Sequence, residues 1–285
     1  MHLPLRLAAL ALLLTVAACT KPSPIARTQT NEEGCTRIRS MGPQNPFADP
    51  VPIKQACVGP YLLAYPQNYY QSQVGTHYDG SFALALEFPS LQPFKPGENA
   101  RPTLDLRARS VFLQYSFVST ISVQQALKNS YTPFEFEKLD PAESLDGRTL
   151  GAPAFGLTPY YADIERIRTY HRSRGSADAA PIMSADWHVD WFVTRDGSGT
   201  INRMIKCTSR EVKKSGLAMR DGKIVRAKGF GFPVCDHQYM VPELNVIADI
   251  HYARDMLEQW QQMEDQSRLL LEQGRARAAL ESEVK

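Results

Sequence analysis

The chain has 285 residues, with 32 Lys and Arg against 30 Asp and Glu, for a formal net charge of +2. So even a balance provides no electrostatic footprint for nucleic acid, which is excluded as the expected partner. With 43% hydrophobic residues the chain can bury a substantial core, and its length suits one large domain or two small ones.

The N-terminal segment reads as an address. Arg6 precedes an apolar run from Leu7 to Val16. A helix that crosses hydrocarbon needs about 20 residues, so this run is too short to span but suits a signal-peptide core. It closes with Val16-Ala17-Ala18-Cys19, which resembles the bacterial lipobox. That resemblance implies removal of residues 1–18 and acylation of Cys19, palmitate included, which changes the expected membrane relation from spanning to anchored. Thr20 rather than Asp follows, which by enterobacterial sorting rules favours the outer membrane, on its periplasmic side. Residues 19–33, with Pro22, Pro24 and Asn31, read as a flexible tether, and the folded domain is expected over 34–273.

Four cysteines remain: Cys35, Cys57, Cys207 and Cys235. Export places them where disulfides persist. Three pairings are open; Cys35–Cys57 and Cys207–Cys235 are favoured because each encloses a modest segment. Their spacing is not that of a zinc site.

Strand signals begin with Tyr61–Tyr65, closed by Pro66, and Phe82–Phe88, closed by Pro89. In Val111–Val118, residues Val111, Leu113, Tyr115 and Phe117 alternate on one face. Ser122 and Gln125 form a capping box for a short helix through Lys128. Phe134–Leu139 alternates like a strand. Thr158 as N-cap with Pro159 in the first turn opens a helix that Gly175 ends, its acids early and its arginines late. Trp187, Val189, Trp191 and Val193 alternate, and Asp196-Gly197-Ser198-Gly199 turns the chain into a return strand, Ile201–Cys207. A further hairpin turns at Asp221-Gly222, and Val246–Tyr252 is the last strand. The closing amphipathic helix, about 255–273, carries Met256, Trp260, Met263, Ser267 and Leu270 on one stripe, with a frayed tail over 274–285. Hairpin-linked strands with helices at intervals predict an α+β fold with mainly antiparallel sheet, and the Pro- and Gly-containing stretch 140–156 offers a possible subdivision.

Chemistry-bearing patterns are sparse. The chain has no Gly-x-Ser-x-Gly elbow, no His-Glu-x-x-His and no phosphate-binding Gly-Lys-Ser/Thr, so no catalytic set, cofactor or metal is expected. His188 and Asp190, with Asp236 and His237, are a conceivable metal set, but such residues are more often solvent-facing members of a half-buried strand or hydrogen-bonded edge groups. The arginines from Arg166 to Arg174 suit an acidic partner or a solvated helix end. The series Tyr61, Tyr65, Tyr69 and Tyr70 suits an interface or a strand edge, while Trp187, Trp191 and Trp260 are expected in the core.

One resemblance bears on function. The run Cys57-Val58-Gly59-Pro60-Tyr61-Leu62-Leu63-Ala64-Tyr65-Pro66 resembles the Cys-x-Gly-Arg-aromatic-x-x-x-x-Pro opening of immunity proteins paired with type VI secretion phospholipase effectors, with Pro60 in place of Arg. Cys235-Asp236-His237, followed by Pro242, Tyr252, Leu257 and Trp260, is similar to the final strand and helix of such lipoproteins. The resemblance implies a non-enzymatic, lipid-anchored protein that binds a membrane-attacking toxin in the periplasm and blocks it. An envelope lipoprotein that docks to a secretion or assembly machine would share tether and domain, and an enzyme with a scattered site is the third class. The residues that would meet the partner are not legible at this level.

Overall fold

The computed structural model describes residues 26–212, 215–229 and 231–283. The signal segment, Cys19 and the first part of the expected tether lie outside them. In chain order the elements are β1 (Ala26–Thr30), β2 (Thr36–Ser40), β3 (Ile53–Val58), β4 (Tyr61–Pro66), β5 (Leu84–Glu87), β6 (Gln92–Pro93), α1 (Leu104–Ala108), β7 (Ser110–Phe117) and α2 (Val123–Asn129). There follow β8 (Arg148–Leu150), β9 (Thr158–Ala162), α3 (Ile164–Ser173), β10 (Asp190–Arg195), β11 (Ile201–Cys207), β12 (Leu217–Arg220), β13 (Lys223–Arg226), β14 (Val234–Val241), β15 (Val246–Ala253) and α4 (Trp260–Glu283).

Nine strands form one sheet in the order β6-β5-β7-β15-β14-β11-β10-β9-β8, with every pairing antiparallel. Hairpins β1–β2, β3–β4 and β12–β13 stand outside it. This is the α+β, mainly antiparallel architecture that the alternating runs and hairpin turns predict.

Register sorts the side chains into two faces, because neighbours along a strand point opposite ways. One face carries the row Leu84, Leu113, Ile250, His237, Ile205 and Phe192, paired strand to strand. It packs against hairpin β3–β4 and helix α4, with Leu63, Tyr65, Trp260, Met263 and Leu270 in the same core. Gly59, in the turn between β3 and β4, has φ +52°, and a Cβ there would sit 2.2 Å from the Phe117 ring, so the glycine of the Cys57–Pro66 run is dictated by backbone and space. The disulfide Cys35–Cys57 ties the first residues of the fold to β3, and Cys207–Cys235 joins directly paired residues of β11 and β14.

Helix α4 is docked by polar groups set into its apolar stripe. The Tyr115 hydroxyl donates to the Ser267 carbonyl at 2.8 Å, Tyr239 donates to the Ser267 hydroxyl at 2.8 Å, and Tyr65 donates to the Leu270 carbonyl at 3.1 Å. A serine on the buried face is thus the anchor for two buried phenols, each of which would otherwise lack a partner.

Several expectations are corrected. Residues 26–30, expected within the tether, form β1 and pair with β2, because Asn31 closes the turn by accepting the Cys35 N–H at 2.7 Å. Phe134–Leu139 is not a strand: Glu135–Glu137 is a single 3-10 turn and Leu139 is 73% exposed, the backbone bonding locally through Glu137 N–H to the Phe134 carbonyl and Asp140 N–H to the Glu137 carbonyl. Thr158 and Pro159 belong to β9 rather than to a helix start. The true N-cap of α3 is Asp163, whose carboxylate accepts from the Arg166 N–H at 3.1 Å. Stretch 140–156 supplies β8 to the central sheet, so the sheet runs across the possible subdivision. Finally, α4 continues through the expected frayed tail to Glu283. Gly274 does not stop it: a Cβ there would lie 2.4 Å from the Tyr65 ring, so the residue is small to admit that ring.

Candidate functional site

The opposite face of the sheet is only partly covered. One residue out of phase with the core row runs a second row across the strands: Phe112, His251, Asp236, Lys206, Trp191, Tyr160 and Leu150. Beside it lies Gln114, Asp249 and Gln238, continuing into Met204 and Val193. Helix α2 covers Val193, Met204 and Ile247 with Val123 and Leu127. At the other side Leu106 of α1 packs with Ala85 and Phe94, with Phe112 against them. The far end of the row is closed where the Arg148 guanidinium lies 3.9 Å over the Trp191 ring and donates to the carbonyls of Ala142 and Val189. Lys206 sits 4.5 Å over the same ring.

Between these covers the strands β7, β15 and β14 floor a groove of about 940 Å³. Its floor presents Phe112, Gln114, Asp236, Gln238, Asp249 and His251, and Leu104, Arg107 and Phe232 contribute at its sides. Asp236 and His251 pair at 2.7 Å and both remain largely exposed, at 69% and 45% of their side chains. Gln238 donates to the Asp249 carboxylate at 2.6 Å. Burial raises the Asp249 carboxyl above its ordinary range, the Gln238 amide works against this, and the charge of Asp236 adds to it. The groove therefore offers two carboxylates, amides, an imidazole, a guanidinium and two aromatic side chains. Its volume falls in the range of ligand clefts, about 300–1,000 Å³.

The residues singled out from the sequence scatter. Asp236 is in the groove. His237, its neighbour, points to the core face and is fully buried, its ring 3.3 Å from Glu264 of α4. Asp190 accepts from Arg254 at 2.7 Å and from the Arg210 backbone N–H at 2.8 Å, and His188 donates to the Ile182 carbonyl at 2.8 Å. Each of the four thus has a different set of neighbours, and no group of three or more metal-binding side chains is assembled among the described residues. The arginines of α3 are engaged locally: Arg168 with Glu165, Arg172 with Asp178, and Arg166 with the Asp146 carbonyl. Tyr65 and Tyr70 are core residues, and Tyr61 and Tyr69 pack against that core. Trp191 and Trp260 are buried, but Trp187 is 63% exposed in a 3-10 turn ahead of β10.

The sequence reading missed Gln114, Asp249 and His251 as site residues. Their signal was present as polar positions alternating with apolar ones in β7 and β15. Which strands would lie side by side was not.

Set beside solved structures, the chain is similar to Smlt3025, an immunity protein of the Stenotrophomonas maltophilia type IV secretion system, at 24% identity and a TM-score of 0.68. The match covers 87% of this chain and 98% of that one. The fold is shared. No protein-family model and no curated protein matches the chain.

Proposed function

We propose that this chain is an immunity protein: it binds and neutralises a toxin delivered by a bacterial secretion system, acting by binding rather than by catalysis. The observation that carries the reading is the fold shared with a secretion-system immunity protein along nearly that protein's whole length. The Cys57–Pro66 run and the Cys235–Trp260 stretch led to the same class from the sequence. That resemblance implied a type VI phospholipase as the toxin, whereas the structural neighbour belongs to a type IV system, so we assign the toxin neither type VI delivery nor lipase activity.

A rigid, stapled domain suits this task, since pre-organisation lowers the cost of ordering a surface on binding. The proposal keeps the lipid anchor at Cys19, which would hold the neutraliser on the periplasmic side of the envelope. Deleting the gene should make cells sensitive to kin that deliver the toxin, and the wild-type gene should restore survival. A deletion strain that survives such competition as well as its parent would count decisively against immunity. A Cys19→Ala variant should leave toxin binding in the purified protein intact while removing the protein from the membrane fraction.

A further inference from the structure

We infer that the groove on the open face of β7, β15 and β14 is the toxin-binding surface, and that it receives a loop carrying lysine or arginine. The inference rests on the immunity reading and adds to it the surface and the chemistry of the segment it accepts.

Three observations meet there. The first is coverage: α2 protects the sheet on one side and α1 on the other, and a strip of the central strands between them stays open. A strip with apolar covers on both flanks and a polar floor is built to meet a polar segment rather than to extend the core. The second is charge. Asp236 and Asp249 lie on adjacent strands of the floor, with Lys206 opposite Asp236 on the next strand, Arg107 at the side and His251 paired to Asp236, whose side chain stays 69% exposed. An arriving cation relieves the repulsion between the two carboxylates and favours the ionised form of Asp249, whose burial otherwise disfavours it. The third is the pair of aromatic side chains, Phe112 and Phe232, in the lining, because a guanidinium or ammonium group over an aromatic face gains a cation–π contact. Arginine suits the set best, because its planar fork meets a carboxylate bidentately and stacks on aromatic faces.

Other parts of the molecule offer less. In the cluster of His237, Glu264, Arg203 and Arg268 the carboxylate is 3% exposed and already held by both arginines, whose side chains reach the surface, so it offers an arriving ligand no free acceptor. In the cleft between α3 and the 133–147 segment the acids are engaged locally: Asp140 faces His171, Asp163 caps α3 and Glu165 pairs with Arg168.

The test uses the full chain and the secretion-system toxin it protects against, identified by pull-down, with affinity measured by calorimetry at low and high salt. Asp236→Asn with Asp249→Asn should weaken binding by about tenfold or more, equivalent to about 1.4 kcal/mol, and flatten its salt dependence. Asp236→Asn alone, at an exposed side chain, should weaken it measurably without moving the unfolding midpoint, which separates recognition from folding. Glu135→Gln, at a surface site outside the groove, should change nothing. Wild-type binding that the double substitution leaves within twofold would overturn the groove assignment and leave immunity standing. A wild-type chain that fails to bind the toxin at all would overturn immunity itself. A homodimer that the double substitution dissolves would place a second copy in the groove and likewise overturn the assignment.

Discussion

At the scale of residues, the polar group that decides most is Glu264. It is 3% exposed and accepts from Arg203 at 2.6 and 2.9 Å and from Arg268 at 2.8 and 3.0 Å. Burial pushes its carboxyl up, but the His237 ring and the two guanidinium groups outweigh that and hold it at about 2, below the ordinary 4.5. A carboxyl depressed in the folded state stabilises the fold above its unfolded value, and the contribution is lost as pH falls from about 4.5 towards 2. Burial lowers His237 in turn, so its neutral form stabilises above 6.5, and that contribution too fades as pH falls below 6.5. Both effects have the same sign. Urea unfolding should show stability falling from pH 7 to pH 3, with Glu264 responsible for on the order of 2 kcal/mol of that fall. Glu264→Ala should lose about 3–5 kcal/mol at pH 7, because two arginines are left facing an empty site, and its pH profile should be flatter. A variant as stable as wild type at neutral pH would show that the cluster does not hold α4.

At the scale of elements, α4 tests packing against propensity. Replacing a mid-helix glycine by alanine normally stabilises by about 1 kcal/mol. Here the new methyl group meets the Tyr65 ring at 2.4 Å, and overpacking of that kind costs about 1–3 kcal/mol. Gly274→Ala should therefore be neutral to destabilising in thermal unfolding, and a clear gain in Tm would contradict the docking of β4 on α4. The same residue shows where sequence reasoning stopped: a glycine after an apolar stripe looks like a helix end, and only a ring from a strand about 200 residues away makes it a helix interior. Elements whose pattern was self-contained were legible, such as Val111–Val118, the turn at 196–199 and the apolar stripe of α4. Thr158-Pro159 mimicked a helix start because cap chemistry is local, whereas membership of β9 is decided by β8 and β10 on either side. Phe134–Leu139 failed because its backbone groups close turns within the segment rather than a ladder, which alternation does not reveal.

At the scale of the whole molecule, the fold class was legible because hairpin turns and alternation are local, whereas the site was legible only in fragments. Asp236 was singled out, but its neighbours in the groove come from β7 and β15, and the strand order that gathers them is a property of the complete sheet. The near-neutral net charge hides a groove with two carboxylates, so recognition here is a matter of local rather than overall charge. The central claim is that this molecule binds and silences a toxin, and a titration of the purified full chain into the toxin captured with it, with toxin activity followed throughout, tests it most directly. Immunity predicts saturable binding with activity abolished at a fixed molar ratio. Full toxin activity in the presence of excess protein would contradict it.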